Sequence, residues 1–466
     1  MVESSIAELQ EMVHAGDLSY EELTLFYLSR IREIEGDPAR YLNAVTSLNP
    51  ASVERARALD LARRAAPDTE RDPIYGMPIL LKDNINAAGV ATTAGAVALQ
   101  NNFANDAFIV EKLLDKGAVI LGKANLSEWA YFFCDDCPSG WSAMGGQTLN
   151  PYGRLRFNTG GSSSGSGASI AANYAAAAVG SETSGSILSP SSANSLVGLK
   201  PTTGSLSRTG VVPISGSLDT TGPMARSVAD VIILFNGMTG YDQRDTAMPM
   251  MSDDLQLEHR DQSMAGLRLG APERYLDNEL FLKALRLLSA DEAAIVEISL
   301  PEIDTQGFGT LLGREMVRDL ALYLKDHASP MVMIDSVDDL HGFNLQRPDL
   351  RMPYGQAEVD RMIELDINPA ELETLRNSLQ SGARAAMEAL FAGSDLDLLL
   401  SMDNRNAAFA ALANYPALTV PLGYSDSGRP VNLTLFAPPF QEQLLVDVGG
   451  RFERLADARR MPADYP

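Results

Sequence analysis

A stretch of small residues constrains this fold more than any other feature of the chain. It starts with GGSSSGSG at 160–167 and continues into ASIAANYAAAAVG at 168–180. Because few of these side chains have any bulk and none carries charge, the segment can pack very close to a neighbouring element. A second glycine and serine cluster, SETSGSILSPSS, follows at 181–192. We predict a helix of small residues over 168–180, with a serine-bearing loop on each side of it.

Helical and strand patterns alternate in the first third of the chain. Ser19 and Glu22 have the spacing of a capping box ahead of an apolar helical face, and SVERARALDLARRA predicts a second helix. The short apolar run MPILL predicts a buried strand that ends at Lys82. A helix closed by Gly117 and the strand AVILG come next. This alternation predicts an α/β layered fold.

The second half of the chain repeats the same alternation. GLRLGAP and AAIVEISLP predict strands on either side of a helix, and residues 302–400 read mainly as helices. LDLLLS, YPALTVPLG and PVNLTLF predict a return to strands. Since no repeat period and no long low-complexity linker interrupts the pattern, we predict one large domain over 1–466.

The charge of the chain excludes some classes of partner. A formal net charge of −24 and a pI near 4.5 would repel phosphate backbones and anionic lipid surfaces. The N-terminus lacks a basic and an apolar leader region, and no apolar run approaches the roughly 20 residues of a membrane span. We therefore expect a cytoplasmic protein that binds neither nucleic acid nor membrane. The sequence leaves open whether it is a monomer or a homo-oligomer.

Cysteine and histidine are scarce, which limits metal and disulfide chemistry. Cys134 and Cys137 are the two cysteines, so no disulfide framework holds this fold together. A zinc site normally needs four ligands, and no second CxxC or close histidine pair exists. We interpret the CxxC spacing as chance or as a local strap, and we expect neither a metal nor an organic cofactor.

The glycine and serine run at 160–167 has four interpretations. The first is a phosphate cradle, but the segment lacks the lysine and the preceding strand that such a loop requires. A nucleophile elbow at Ser163 would need a strand before it and a catalytic histidine after it, but His259, His327 and His341 lie in no stretch that resembles a catalytic loop. A flexible linker is not normally followed by a small-residue helix and a second serine cluster.

The fourth interpretation is a serine hydrolase in which a lysine replaces histidine as the base. Serine is a poor nucleophile unless a neighbour accepts its proton, and a buried lysine with a lowered pKa can do so. Small residues would also expose backbone donors to a developing oxyanion. The candidate bases are Lys82, Lys123 and Lys200, and their spacing alone does not choose among them.

The segment from GGSSSGSG to GLKPTTGSLSRTG strongly resembles the signature region of the amidase signature family. Further segments resemble family counterparts in order, among them YGMPILLKDNINAAGVATTAGA, GKANLSEWA, SLDTTGPMARSVAD and YPALTVPLGYSDSGRPVNLTLF. Similarity is lowest over about 240–400. The resemblance implies a single α/β domain with a central mixed, mostly parallel twisted β-sheet covered by α-helices. It also implies a Ser-cisSer-Lys triad.

The resemblance assigns the triad residue by residue. Lys82 in LLKDN corresponds to the base, and Ser162 corresponds to the relay serine, which typically follows a cis peptide bond. Ser186 in SGSI corresponds to the nucleophile. The remaining loop serines, Ser163 and Ser164, would line or cap the loop. The resemblance further implies an oxyanion hole made of the backbone N–H groups of Thr183, Ser184, Gly185 and Ser186.

The chain departs from the family pattern near the nucleophile. Glu182, Ser184 and Leu188 stand where many members have Asp, Gly and Arg. The SETxGSI form, together with SGWSAMGGQTLNPY, resembles the branch of peptide amidases and related bacterial amidases. The loss of Arg puts the usual charge behind the nucleophile in doubt and removes no triad member.

The expected activity is hydrolysis of a linear amide through an acyl-enzyme, with esters and carbamates also open to the site. The alternatives are the amidase subunit of a tRNA-dependent amidotransferase and a non-catalytic binding or scaffold protein. Specificity is expected in the helices of about 300–400 and in 129–146, where WAYFF, Cys134, Cys137 and Trp141 form either a pocket wall or core. The expected organisation is N-terminal helices over 1–70, a catalytic core over 71–240, a substrate-facing helical region at about 300–400 and C-terminal strands over 396–466.

Overall fold

The computed structural model describes residues 1–249 and 255–466. The helices of this part of the chain are α1 Ile6–Ala15, α2 Tyr20–Glu35, α3 Ser52–Ala65, α4 Phe108–Asp115, α5 Ser164–Ala171, α6 Leu188–Ala193, α7 Val228–Met238, α8 Glu279–Ala290, α9 Phe308–Asp326, α10 Val337–Leu345, α11 Pro348–Arg351, α12 Ala357–Glu364, α13 Pro369–Ser394, α14 Ala407–Ala413 and α15 Glu442–Ala456.

The strands within the same residues are β1 Val45–Leu48, β2 Pro78–Lys82, β3 Val119–Ala124, β4 Trp141–Ser142, β5 Gly146–Gln147, β6 Ala177–Glu182, β7 Val197–Lys200, β8 Thr220–Ala225, β9 Arg268–Pro272, β10 Ala294–Ile298, β11 Leu398–Met402, β12 Ala417–Tyr424 and β13 Pro430–Phe436. Strands β4 and β5 form a separate hairpin. The others form one sheet of eleven described strands in the order β1-β3-β2-β6-β8-β7-β12-β13-β11-β9-β10.

Parallel pairing occurs in two blocks of this sheet. Strands β3, β2 and β6 form one block, and β11, β9 and β10 form the other. The remaining described pairs are antiparallel. The prediction of one α/β domain around a mixed sheet is confirmed. The share of parallel strand pairs in the sheet is smaller than the alternation of helices and strands suggests. Connections as short as 425–429, between β12 and β13, can join only antiparallel strands.

Most of the predicted elements are confirmed. Ser19 accepts a hydrogen bond from the N–H of Glu22, whose side chain accepts one from the N–H of Ser19, so the capping box is present. The second helix runs over the predicted residues as α3, and the strand before KDN ends at Lys82. The strands predicted in the second half are β9 to β13, and 302–400 holds helices α9 to α13.

The predicted helix over 168–180 is wrong in its second half. Helix α5 ends at Ala171, and Asn173 has a left-handed φ of 60°. Residues 177–182 then form β6 instead of continuing the helix. Alanine favours helix, but Ala177, Ala178 and Val179 pair in parallel with β2, and pairing inside a sheet buried on both faces outweighs that preference.

Helix α5 is completely buried because its residues are small. A side-chain carbon on Gly165 would overlap the carbonyl oxygen of Ala44 and the backbone nitrogen of Asn125. One on Gly167 would press against the carbonyl oxygen of Pro190. The helix therefore packs directly on β2, β3 and β6, and the missing bulk at 160–167 is a requirement of this close approach.

Neither a membrane-spanning helix nor a metal cluster occurs among the described residues. No helix there is long and apolar enough to cross a bilayer. No group of three or more His, Cys, Asp or Glu side chains in 1–249 and 255–466 could hold a metal ion.

Candidate active site

The candidate site forms where two parallel neighbours, β2 and β6, end at the same edge of the sheet. Strand β2 ends at Lys82 and β6 ends at Glu182, with Leu81 paired to Val179. Helix α5 precedes β6 and therefore starts at this edge too. Segments that follow the carboxyl ends of adjacent parallel strands lie side by side, as in other open α/β sheets.

Lys82 lies at the centre of this edge. Its Nζ donates to Ser162 Oγ at 2.7 Å, to Ser181 Oγ at 2.9 Å and to the Ser181 carbonyl oxygen at 3.1 Å. The side chains of Lys82 and Ser162 are both inaccessible to solvent. The structure thus brings together the lysine and the first loop serine that the sequence singles out.

Ser162 and Ser186 belong to loops that are bonded to each other. The peptide bond between Gly161 and Ser162 is cis, as the resemblance implies. The N–H of the next residue, Ser163, donates to the carbonyl oxygen of Ser186 at 3.2 Å. Ser186 is 7% exposed, whereas Ser162 is fully buried. Of the two serines, Ser186 is therefore the one that solvent can reach.

A carboxylate organises the turn that carries Ser186. Glu182 accepts hydrogen bonds from the N–H groups of Gly185 at 2.7 Å, Ile187 at 2.7 Å and Leu188 at 3.0 Å. The prediction that Gly185 donates its N–H to an oxyanion is therefore not supported, because Glu182 already accepts that hydrogen. Thr183, Ser184 and Ser186 stay predicted donors.

Burial controls the protonation of Lys82. Removal from water disfavours the charged amine and lowers the pKa of Lys82 from 10.5 to about 7. The nearby carboxylates of Asp219 and Glu182 oppose this lowering. A large fraction of Lys82 is therefore neutral near pH 7, which is the form that can accept a proton.

The two other candidate lysines have different partners. Lys123 Nζ lies 3.4 Å from the Asp83 carboxylate and donates to Thr92 Oγ1 at 2.8 Å. Lys200 donates to the carbonyl oxygens of Pro201 at 3.0 Å and Tyr415 at 3.1 Å. Burial lowers the pKa of each to about 8. Lys82 is therefore the one of the three candidates that contacts a serine of the 160–167 loop.

The other loop serines cap the structure locally. Ser163 Oγ donates to the Ser181 carbonyl oxygen at 3.1 Å, and Ser164 Oγ donates to the Gly160 carbonyl oxygen at 2.8 Å. A histidine-dependent elbow at Ser163 has no support, since Ser163 Oγ donates its hydrogen to a backbone carbonyl oxygen and not to a histidine. These contacts agree with the predicted lining and capping roles of Ser163 and Ser164.

The 129–146 segment is partly core and partly wall of the site. Trp129, Phe133 and Cys134 are buried in an apolar cluster with residues of α9, α10 and α12. Tyr131 is 38% exposed, and its hydroxyl lies so close to Gly161 that a side-chain carbon there would overlap it. Tyr131 therefore borders the Gly161–Ser162 peptide.

The two cysteines pair with each other. Cys134 and Cys137 form a disulfide with a Cα–Cα distance of 5.6 Å. Because only two residues separate them, this disulfide closes a small loop and agrees with the interpretation of the CxxC motif as a local strap.

Sequence reasoning missed the polar groups that surround Lys82. Ser181 Oγ contacts Lys82 Nζ and also accepts a hydrogen bond from Asn84 Nδ2 at 2.9 Å. Asp219 accepts a hydrogen bond from Thr183 Oγ1 at 2.5 Å, and burial raises the pKa of Asp219 to about 6. Their positions in the sequence could have indicated Asn84 and Ser181, since Asn84 follows Lys82 by two residues and Ser181 opens the second serine cluster.

Comparison with known proteins agrees with this fold. A family model described as Amidase matches residues 22–365. A probable amidase from Arabidopsis thaliana is 33% identical over 477 residues, covering 99% of this chain and 91% of the relative. A glutamyl-tRNA(Gln) amidotransferase subunit from Halorhodospira halophila is 32% identical over 494 residues, covering 98% of each chain.

A solved structure gives the same result. The native peptide amidase from Stenotrophomonas maltophilia is 37% identical, with 99% of this chain and 98% of that chain covered and a TM-score of 0.88. Together these matches define an amidase-type hydrolase that acts on carbon–nitrogen bonds. The chain belongs to the amidase signature family.

Proposed function

We propose that this chain is a serine amidohydrolase that cleaves the C–N bond of a linear amide through an acyl-enzyme. Ser186 is the nucleophile, Ser162 relays the proton and Lys82 is the base. The observation that carries the proposal is the 2.7 Å hydrogen bond from Lys82 Nζ to Ser162 Oγ, two side chains that solvent does not reach. A pKa of about 7 for Lys82 supports the role of base.

Acylation begins when Ser186 Oγ attacks the amide carbonyl carbon. The Ser186 hydroxyl proton passes to Ser162 Oγ, whose own proton passes to the neutral amine of Lys82. Positive charge forms on Lys82 as negative charge forms on the carbonyl oxygen. The carboxyl groups of Asp219 and Glu182 favour the protonated lysine and so stabilise this charge distribution.

The oxyanion is stabilised by backbone donors of the turn before the nucleophile. Thr183, Ser184 and Ser186 are the donors in this proposal, while the N–H of Gly185 is held by Glu182. Each such donor acts on charge that exists only in the transition state, and it therefore accelerates the chemical step.

The same relay completes the cycle. Lys82 returns its proton through Ser162 to the leaving nitrogen, and ammonia or an amine departs as the tetrahedral intermediate collapses. A water molecule then attacks the acyl-enzyme, with Ser162 and Lys82 accepting its proton, and Ser186 is released. Esters and carbamates pass through the same intermediate and are also substrates in this proposal.

A second candidate function is the ammonia-producing subunit of a tRNA-dependent amidotransferase. The 32% identity to such a subunit over 98% of both chains favours it. The 37% identity to a peptide amidase favours a free-standing amidase. Purification from the native host distinguishes them, because an amidotransferase subunit would co-purify with partner subunits and would need them for activity.

The test of the proposed function is the intact mass of the protein after exposure to activated anilides, esters and carbamates. The wild type should gain the mass of one acyl group, and Ser186→Ala should gain none. Ser192 lies in α6, and its hydroxyl oxygen is 3.1 Å from Thr419 Oγ1. Ser192→Ala is therefore a matched control and should acylate normally. An adduct that persists in Ser186→Ala would assign the nucleophile to another residue, such as Ser162.

A further inference from the structure

A surface cavity of about 730 Å³ borders the turn that leads to Ser186. Ser184 forms one side of it, and the segment 404–409 at the start of α14 forms another. The two sides are in contact, since a side-chain carbon on Gly185 would lie 3.2 Å from Asn404 Nδ2 and 3.3 Å from Ala407 Cβ. A group bound in this cavity would therefore lie beside the proposed nucleophile segment.

Two arginines give this cavity its charge. Arg274 and Arg405 are exposed and line it, and no acidic residue lines it with them. Within the described part of the chain, neither guanidinium forms an ion pair, although other arginines such as Arg208, Arg361 and Arg451 do so in this protein of net charge −24. The cavity is thus a local positive site on an acidic protein.

The acidic residues nearest in sequence to these arginines, Asp403 and Glu273, have other partners. Asp403 lies 3.4 Å from Arg429 and accepts a hydrogen bond from the N–H of Asn432 at 3.0 Å. Glu273 accepts a hydrogen bond from Ser299 Oγ at 2.9 Å. Neither of these two carboxylates lines the cavity.

One aromatic ring holds both guanidinium groups. The Cζ atoms of Arg274 and Arg405 lie 4.8 and 5.8 Å from the ring centroid of Tyr275, which is 3% exposed. Arg274 also donates to the Tyr275 hydroxyl at 2.7 Å. Contact with a buried ring reduces the conformational freedom that two arginines would lose on binding an anion.

We propose that this cavity selects amides that carry a carboxylate, which Arg274 and Arg405 bind while the amide lies at Ser186. The proposal rests on the proposed function and names its substrate class. Arginine binds a carboxylate through paired, charge-assisted hydrogen bonds, and a neutral ester of the same shape forms only weaker neutral ones. The cavity therefore discriminates by charge rather than by size.

The test compares two substrate pairs that differ only in this charge. One pair is the mono-4-nitroanilide of succinate and its methyl ester, with the carboxylate on the acyl side. The other is N-acetyl-4-aminobenzoate and its methyl ester, with the carboxylate on the amine side. The ratio of kcat/KM for acid over ester is measured from the initial rate of arylamine release, which reports cleavage of the amide alone, for wild type, Arg274→Gln, Arg405→Gln and the double variant. Arg57→Gln, which removes the same charge in α3, is the control.

The acid should exceed its ester by about tenfold or more in one pair, and the double variant should bring that ratio near one by slowing the acid alone. The pair that responds identifies the side of the amide that carries the carboxylate. Added salt should reduce the ratio, because the arginines are exposed. The control should keep the wild-type ratio.

The proposal is overturned if wild type prefers neither acid, hydrolyses neither pair, or keeps its preference in the double variant. These outcomes leave the proposed function standing as long as other probes acylate Ser186. Conversely, hydrolysis that survives Ser186→Ala would refute the proposed nucleophile, while the ratio in the arginine variants would still report on the cavity.

Discussion

Lys82 and Lys123 are two buried lysines on adjacent parallel strands with different surroundings. Leu81 of β2 pairs with Lys123 of β3, so the two lysines are one step apart along the sheet. Both are inaccessible to solvent. Lys123 lies 3.4 Å from the Asp83 carboxylate, whereas the hydrogen-bond partners of Lys82 are oxygens of Ser162 and Ser181.

The difference teaches that burial alone does not make a base. A carboxylate in contact with a buried amine favours the charged form and ties it into an ion pair, so Asp83 opposes the lowering of the pKa of Lys123 by burial. Lys82 has only neutral acceptors in contact, and its pKa falls to about 7. In this account Lys123 is structural and Lys82 is catalytic.

The largest expected effect is on activity and separates Lys82 from a lysine that is equally buried. Lys82→Met should lower kcat/KM on the order of 10⁴-fold, since a positioned acid and base contributes up to about that factor. Lys200→Met should retain most activity, because Lys200 contacts only backbone carbonyls. Steady-state kinetics on an activated anilide measures both. Equal losses in the two variants would contradict the account.

The next effect is on stability and concerns the ion pair between Lys123 and Asp83. Lys123→Met leaves Asp83 buried without its cation and should lower the free energy of unfolding by about 3 kcal/mol or more. Urea denaturation measures this change, and activity per folded molecule should stay close to the wild-type value. Adding Asp83→Asn should restore part of the loss. A Lys123→Met protein as stable as wild type would show that the pair is dispensable.

The smallest expected effect concerns the acceptor behind Lys82. Ser181→Ala removes an oxygen that accepts from Nζ at 2.9 Å and favours the charged amine, so the pKa of Lys82 should fall further. The kcat/KM profile should shift toward lower pH, with about a tenfold loss at its plateau. Ser169→Ala removes another buried hydroxyl, bonded to the Ser166 carbonyl oxygen, and should change neither. Matching profiles for the two variants would refute a role for Ser181.

Much of the fold could be predicted because its signals are local. The capping box of α2, the apolar strand before Lys82 and Gly117 after α4 depend on neighbouring residues, and each occurs as expected. The alanine-rich run could not be assigned locally. Its second half becomes β6 because it pairs with β2, a contact about 98 residues away along the chain that no local pattern encodes.

The candidate site could be predicted to the extent that it lies in recognisable motifs. The contact of Lys82 with Ser162 and the cis peptide bond agree with the family resemblance. The hydrogen bonds of Glu182 and the contacts of Ser181 depend on the three-dimensional course of the turn. The positive cavity depends on Arg274 and Arg405, which are 131 residues apart and meet at one tyrosine ring.

The most direct test of the central claim is the rate of acyl-enzyme formation as a function of pH, followed by intact mass in single turnovers. If neutral Lys82 is the base, the rate should fall about tenfold per pH unit below its pKa of about 7 and level off above it. Lys82→Met should acylate far more slowly and without this dependence. A wild-type rate that is the same at about pH 5.5 and pH 8, or that survives in Lys82→Met, would contradict the account.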